Sequence, residues 1–326
     1  MTLQVAPSGL LSAEQVASVL LSATLAPSTH NTQPWLFSSG PTGIEVHADP
    51  DRTLPVADPD RRELLLSCGA ALFNLRTAIH ATGVHPATSY FPRRGNPDLL
   101  ALVRPRAAAA TDRKLASLAD AIPLRHTNRT PFTAKPVPSG ALGALRHAAE
   151  VEHAWLPRLD ADQLAGLKEL IRESHRLQIE DPAFRSEWQR WTGRGRNRRD
   201  GVPFAAGGAV TADDTWVLRD YGGGSRALGA APLVVVVGTF ADLAIDRLRA
   251  GQAMQRVLLT ATARGIDASF ISQPVEVPAI RARLRDLLGG GLWPQIVLRL
   301  GYGAPVPRTP RRALEDVLVT PSPLSV

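Results

Sequence analysis

The chain has 326 residues, 44% hydrophobic and 21% charged, ordinary usage for a globular protein with a sizeable core. No apolar run reaches the ~18 residues of a membrane span, and Met1 to Val5 lack the basic-then-apolar pattern of a secretory signal. The net charge is +7, and the single cysteine, Cys68, excludes an intrachain disulfide, so a reducing, cytoplasmic setting is expected.

The basicity raises the question of a polyanion partner. Only Lys114, Lys135 and Lys168 are lysines, so arginine supplies 34 of the 37 basic residues. The densest run, Arg190 to Arg199, contains glycines and lacks apolar periodicity. With no helix-turn-helix spacing, Cys/His finger or RNA-binding signature beside it, the run reads as a solvated loop. Neither a nucleic acid nor a membrane is an expected partner.

A first helix begins at Ser12, where Ser12-Ala-Glu-Gln15 has capping-box spacing and Val16, Val19 and Leu20 share one face, and it ends before Pro27. Ile44 to His47 alternates like a strand. Asp60 to Thr82 is a long helix apolar on most sides, the mark of a buried central helix, and Gly83 stops it. Strands follow near Ala87 to Phe91 and Leu99 to Val103, then a linker (Arg104 to Thr111) and a short helix. Further helices are expected at Ser139 to Ala149, Asp160 to Ile179 and Ala183 to Trp191. Thr192 to Ala231 is irregular and glycine-containing, long enough to be a functional lid or a disordered linker. A strand at Leu233 to Val237 precedes a second apolar helix, Leu243 to Arg264. A strand near Ser269 to Ser272, a helix at Pro278 to Leu287, a strand at Pro294 to Leu300 and a Pro/Arg-rich tail complete the order.

The two apolar helices resemble each other. Gly69 to Gly83 can be laid on Gly251 to Gly265, with Gly at both ends, Ala third and a large apolar residue fourth, at an offset of 182 residues. Two Ala-rich helices can match by chance; an internal duplication is the other reading. It would pack the helices across a pseudo-two-fold axis, as an isologous dimer does.

Four segments carry candidate chemistry. Ala26-Pro-Ser-Thr-His-Asn-Thr-Gln-Pro-Trp35 is a post-helix loop crowded with hydrogen-bonding side chains and anchored by Trp35. Arg125-His-Thr-Asn-Arg129 brackets a hydroxyl and an imidazole with two guanidinium forks, which suits a phosphate monoester. Gly265 to Gln273 leaves the second apolar helix as a strand. The tail, Gly301 to Arg312, ends in a pair of arginines, and its plain reading is a disordered basic end.

The first loop resembles Pro-Ser-Ser/Thr-x-Asn-x-Gln-Pro-Trp, the flavin-contacting loop of nitroreductase-like FMN proteins. Those are homodimers with FMN at the subunit interface. The resemblance implies that Pro27, Ser28, Thr29 and Asn31 contact the flavin ring and ribityl chain, with Gln33 holding the loop. Arg125, His126, Thr127 and Arg129 match the segment that binds FMN phosphate and ribityl. Ser272 and Gln273 fall nearest the strand that approaches the reactive edge of the ring. Arg311 and Arg312, ahead of Arg308, match the C-terminal phosphate-binding segment. Each motif occurs once, the ring loop in the first half and the phosphate segment in the second, which resembles the internally duplicated Acg-type branch.

The resemblance therefore implies an α+β fold, with two nitroreductase-like halves forming a pseudo-dimer in one chain and mixed sheets around buried central helices. Residues 1–110 would supply the ring loop; 111–326 would supply the phosphate segment, central helix, tail and a lid at about 192–231. It implies one FMN, NAD(P)H as donor, and a small electron acceptor such as a nitro compound or quinone. The protein would be a monomer, with further oligomerisation open. Since the flavin carries the chemistry, no catalytic side chain and no metal are expected. No Gly-x-Gly-x-x-Gly follows a strand, so a separate Rossmann domain is not expected. The alternative within the branch is a protein that stores or sequesters FMN under a lid with little turnover.

Overall fold

The computed structural model describes residues 5–108, 112–193, 198–203, 219 and 233–320. The sequence-predicted lid therefore lies, apart from its first and scattered later residues, outside the described residues.

Helix α1 (Ala13–Thr24) starts on the capping box read from the sequence, with Ser12 and Gln15 bonded reciprocally. Strands β1 (Trp35–Gly40) and β2 (Gly43–Ala48) form a hairpin. Helix α2 (Arg62–Ala81) follows, with every residue but Arg76 and Ala81 buried. Its first amides are held by Asp58, whose carboxylate accepts from Glu63 N at 2.9 Å and Leu64 N at 2.8 Å. Strands β3 (Val84–Tyr90) and β4 (Leu99–Ala107) complete a four-stranded sheet in the order β1-β2-β4-β3. The expected linker at Arg104 is thus strand as far as Ala107, because β3 pairs with it along its whole length, Val84 opposite Ala107.

Helices α3 (Arg113–Ser117), α4 (Ser139–Glu150), α5 (Ala161–Glu180) and α6 (Pro182–Trp191) lead to strand β5 (Leu233–Thr239). Helix α7 (Ala244–Thr262), strand β6 (Asp267–Phe270), the short helix α8 (Gln273–Glu276), helix α9 (Pro278–Leu287) and strand β7 (Trp293–Gly301) follow. The second sheet has the order β5-β7-β6. All pairings between these named strands are antiparallel; parallel geometry enters at a bridge between Phe37 and Leu318, where the tail returns to β1. The fold is α+β.

The two sheets share a connection pattern. Strand β2, helix α2, then β3 and β4 with β4 central is repeated as β5, helix α7, then β6 and β7 with β7 central. Both long helices end in a left-handed glycine, Gly83 at φ 83° and Gly265 at φ 65°. The helices pack directly on each other, and the main core runs without a break from Val16 and Phe37 through Leu72 to Leu258 and Leu298. Helix α2 is long and apolar enough to cross a membrane, but 89% of its most apolar stretch is buried inside this core.

Candidate functional site

The loop after α1 is built from strained backbone. His30, Asn31 and Gln33 all adopt left-handed conformations, at φ 51°, 54° and 53°, which costs a non-glycine residue about 1–2 kcal/mol each. Local bonds hold it there. Gln33 N donates to Ser28 Oγ at 2.9 Å, Thr32 Oγ1 to Thr29 O at 2.9 Å, and Thr29 Oγ1 to Glu63 Oε2 on α2 at 2.7 Å. Gln33 also reaches the backbone of Arg199 at 2.8 Å, so it holds the loop as its sequence position suggested.

The arginine segment lies against β6 and the tail. Asn128 N donates to Ala268 O at 2.9 Å, and Asn128 Nδ2 donates to Ala304 O at 2.8 Å. Beneath it, the fully buried Arg299 of β7 donates to the carbonyls of Asn128 and Thr130 and stacks 4.0 Å from the Phe132 ring. His126 Nε2 lies 3.3 Å from Asp267 Oδ1. The Asp267 carboxylate beside it raises the imidazole pKa; although burial would raise the Asp267 carboxyl, His126 helps hold it below its usual value.

The tail then crosses to the first-half loop. Arg311 Nη1 donates to Asn31 Oδ1 at 3.1 Å, Asn31 Nδ2 donates to Pro310 O at 3.1 Å, and Arg312 N donates to Gln33 Oε1 at 2.8 Å. Residues 280 positions apart are thereby locked into one structure.

Like Arg299, which also leaves Nε and Nη1 unpartnered, Arg125 carries unmet donors in this assembly. Its side chain is buried, yet Nε and Nη1 have no hydrogen-bond partner. Burial, then the fields of Arg311, Arg308 and Arg129, push its guanidinium down to about 9. Arg311 is pushed down to about 10 by burial, and its Nε also lacks a partner. A folded chain does not gather three cations around an unsatisfied buried guanidinium for stability. The arrangement is that of an anion site.

A cleft of roughly 890 Å³, counted out to its open side, adjoins the cluster. Pro27, Ser28, Thr29 and His30 form one wall, β6 through Gln273 another, and Leu66 and Met254 of the two central helices contribute apolar surface. Arg129 lines the cleft and also acts on Arg125, which joins the cleft to the arginine cluster.

The structure brings most of the sequence-predicted residues together. Pro27, Ser28, Thr29, Arg129, Ser272 and Gln273 line the cleft, and Arg125 and Arg311 stand in the arginine cluster. His126 and Thr127 sit half-buried between Arg125 and Arg129. Asn31 faces the tail, bonded to Gly201 O, Pro310 O and Arg311. Arg312 is held apart from the cluster, donating to Gln33 O and to Asp49 Oδ2 at 3.0 Å while its Nε lacks a partner. Among the cleft residues that escaped the sequence reading are His30, Glu63 and Glu276. His30 stood in the motif at a variable position. Glu63 lies on a helix read only for its apolar pattern, and Glu276 falls between the strand and the helix read from the sequence, on a short helix that reading did not include. Glu276 is paired with the buried Arg219 and bonded by Gln178 at 2.7 Å. Although its burial alone would raise it, these partners hold its carboxyl down to about 2.

No protein-family model matches the chain. Whole-length relatives do. It is 34% identical to the Mycobacterium tuberculosis protein named "Putative NAD(P)H nitroreductase Rv3131", over 96% of this chain and 93% of that one. It is 28% identical to "Putative NAD(P)H nitroreductase acg" of the same organism, over 95% and 97% respectively. Looser similarity reaches a solved nitroreductase from Anabaena variabilis (TM-score 0.47, 11% identity, 90% of this chain and 88% of that one). An FMN-bound nitroreductase from Bacteroides fragilis gives a TM-score of 0.39 at 19% identity, over 60% and 95%. At 34% identity to the first of these along nearly the full length of both chains, the protein belongs to the Acg-type family of NAD(P)H nitroreductase-like proteins.

Proposed function

We propose that the chain is an FMN-dependent oxidoreductase that passes reducing equivalents from NAD(P)H to a small acceptor such as a nitro compound or quinone. The single observation that carries this reading is Arg125, buried without a partner among Arg129, Arg308 and Arg311 beside the cleft that Arg129 lines. A phosphate dianion there would satisfy the orphan donors and relieve the mutual repulsion of the cations. Arg125, Arg129 and Arg311 would hold the phosphate, with His126 and Thr127 beside it. Pro27, Ser28, Thr29, Ser272 and Gln273 would line the ring and ribityl chain. Asn31 and Arg312 act through the loop and tail they tie together. When bound, FMN supplies hydride acceptance and donation; the chain's residues bind it, orient it and exclude water around it. The site needs both halves, which we read as a duplicated unit that has kept one flavin site.

The test begins with apo-protein reconstituted with FMN and desalted, then assayed for flavin per chain. About one FMN is expected; none, or two, overturns the assignment. Anaerobic addition of NADPH should then bleach the bound flavin, and a nitroaromatic should restore it. FMN that stays oxidised under NADPH would make the protein a flavin store instead.

A further inference from the structure

Among the described residues that line the cleft, His30 alone has buried polar atoms with no partner: both ring nitrogens are unbonded on a residue 5% exposed. Its polar neighbours are already committed. Ser28 Oγ accepts from Gln33 N, Thr29 Oγ1 donates to Glu63, Gln295 bonds Thr239 and Asp242, and Glu276 is held by Arg219 and Gln178. Burial, then the field of Arg219, pushes the imidazole down to about 4, so it stands neutral at ordinary pH with one donor and one acceptor open. Leaving both unpaired in a buried wall is costly unless a ligand completes them. His30 lines this wall on a left-handed backbone, φ 51°.

We propose that His30 is a specificity-determining residue that hydrogen-bonds the uncharged carbonyl–amide edge of a ligand in the cleft. The inference rests on the assignment of the cleft to FMN. Two sources offer that edge: the pyrimidine ring of the flavin, with its C=O and N–H groups, and the carboxamide of a nicotinamide. Both suit a neutral imidazole, whereas a cationic or purely hydrocarbon edge leaves at least one nitrogen unmet.

The experiment has two arms. Apo-protein is titrated with FMN by quenching of flavin fluorescence, and FMN-loaded protein is titrated with nicotinamide by its effect on the visible flavin spectrum. Wild type is compared with His30→Ala, His30→Asn and His30→Gln, whose amides put a donor and an acceptor near the positions of Nδ1 or Nε2. In one arm His30→Ala should raise Kd about tenfold or more, and one amide variant should return it to within about threefold of wild type. A change in the FMN arm identifies the flavin edge; a change in the nicotinamide arm identifies the carboxamide. The ¹⁵N resonances of the His30 ring in wild type, which do not depend on a variant folding, should move on addition of the same ligand. Unchanged Kd values in both arms, amide variants as weak as alanine, or ring resonances unmoved by either ligand would each overturn the inference alone. Wild-type protein that takes up no FMN would overturn the cofactor assignment and this inference with it.

Discussion

Gly69 of α2 and Gly251 of α7 meet where the two central helices cross, and each is pressed against the other helix's backbone. A Cβ on Gly69 would lie 2.2 Å from Leu248 O, and one on Gly251 would lie 2.1 Å from Leu66 O. The contact is reciprocal at one offset: both Gly69 to Gly251 and Leu66 to Leu248 span 182 residues. That is the geometry of an isologous interface, here within one chain. Small residues allow the close approach that lets the helices bury most of their side chains.

Gly251→Ala should therefore destabilise the protein despite alanine's better helix propensity. The clash is with backbone, so the helices must separate, and overpacking of this kind costs about 1–3 kcal/mol. Gly69→Ala should cost a similar amount. Gly143→Ala, on α4 with nothing within 4 Å of the added methyl, should instead stabilise by about 0.4–1 kcal/mol. Urea denaturation of the three variants checks all of this; equal effects at Gly143 and Gly251 would contradict the close-packing argument.

Arg125→Ala should weaken FMN binding by about 1.5–3 kcal/mol, the range for hydrogen bonds to a charged group. Binding of riboflavin, which lacks the phosphate, should change far less, and the apo-protein should lose little stability or even gain some, since the variant removes a buried cation facing three others. Isothermal titration with both ligands separates the outcomes. Equal losses for FMN and riboflavin would place Arg125 in the fold and not at the phosphate.

Glu276→Gln should destabilise by about 3–5 kcal/mol, because Arg219 would remain buried beside a neutral amide. The double variant Glu276→Gln, Arg219→Met should recover much of that loss, since no charge is then stranded. Thermal or urea unfolding of the single and double variants gives the coupling directly, and strictly additive losses would show that the pair is not an isolated unit.

The fold was legible where one force dominated. The length and apolar content of α2 and α7 marked both as buried helices, and Ser12 with Gln15 located the start of α1 from capping chemistry alone. The repeat was visible in Gly69 and Gly251, though only the structure places them in contact. Site residues were legible where they stood in a motif with an order, as Ser28, Thr29, Arg125 and Arg311 did. Glu276 was not, because the features that matter, its burial and its pairing with Arg219 and Gln178, join segments far apart in the chain. The extra length of β4 was hidden for a related reason: Arg104 and Arg106 look like linker residues until β3 pairs beside them.

His30 also gives the apo-protein a measurable acid sensitivity. Its folded pKa is depressed, from 6.5 to about 4, by burial first and by Arg219 second. A base with a depressed folded pKa binds fewer protons folded than unfolded between those values, so stability rises with pH there. The contribution is complete above about 6.5 and is lost as pH falls towards 4. At ~1.4 kcal/mol for each pKa unit, about 2 kcal/mol should disappear between pH 7 and pH 4.5. Asp58 works in the opposite sense. Burial, then Glu63, raises its carboxyl to about 7, so its contribution is complete below about 3.8 and lost as pH rises through 7. The two oppose each other over the same window, and the absolute stability curve would show neither cleanly. The difference between wild type and His30→Gln isolates the first, since Asp58 titrates alike in both proteins. Urea denaturation of both apo-proteins at pH 7, 6, 5 and 4.5 should show wild type losing about 2 kcal/mol relative to the variant. Parallel curves across that range would mean that the His30 ring is hydrated enough to protonate in the folded protein, and the assignment of a buried, neutral imidazole in the cleft wall would fail.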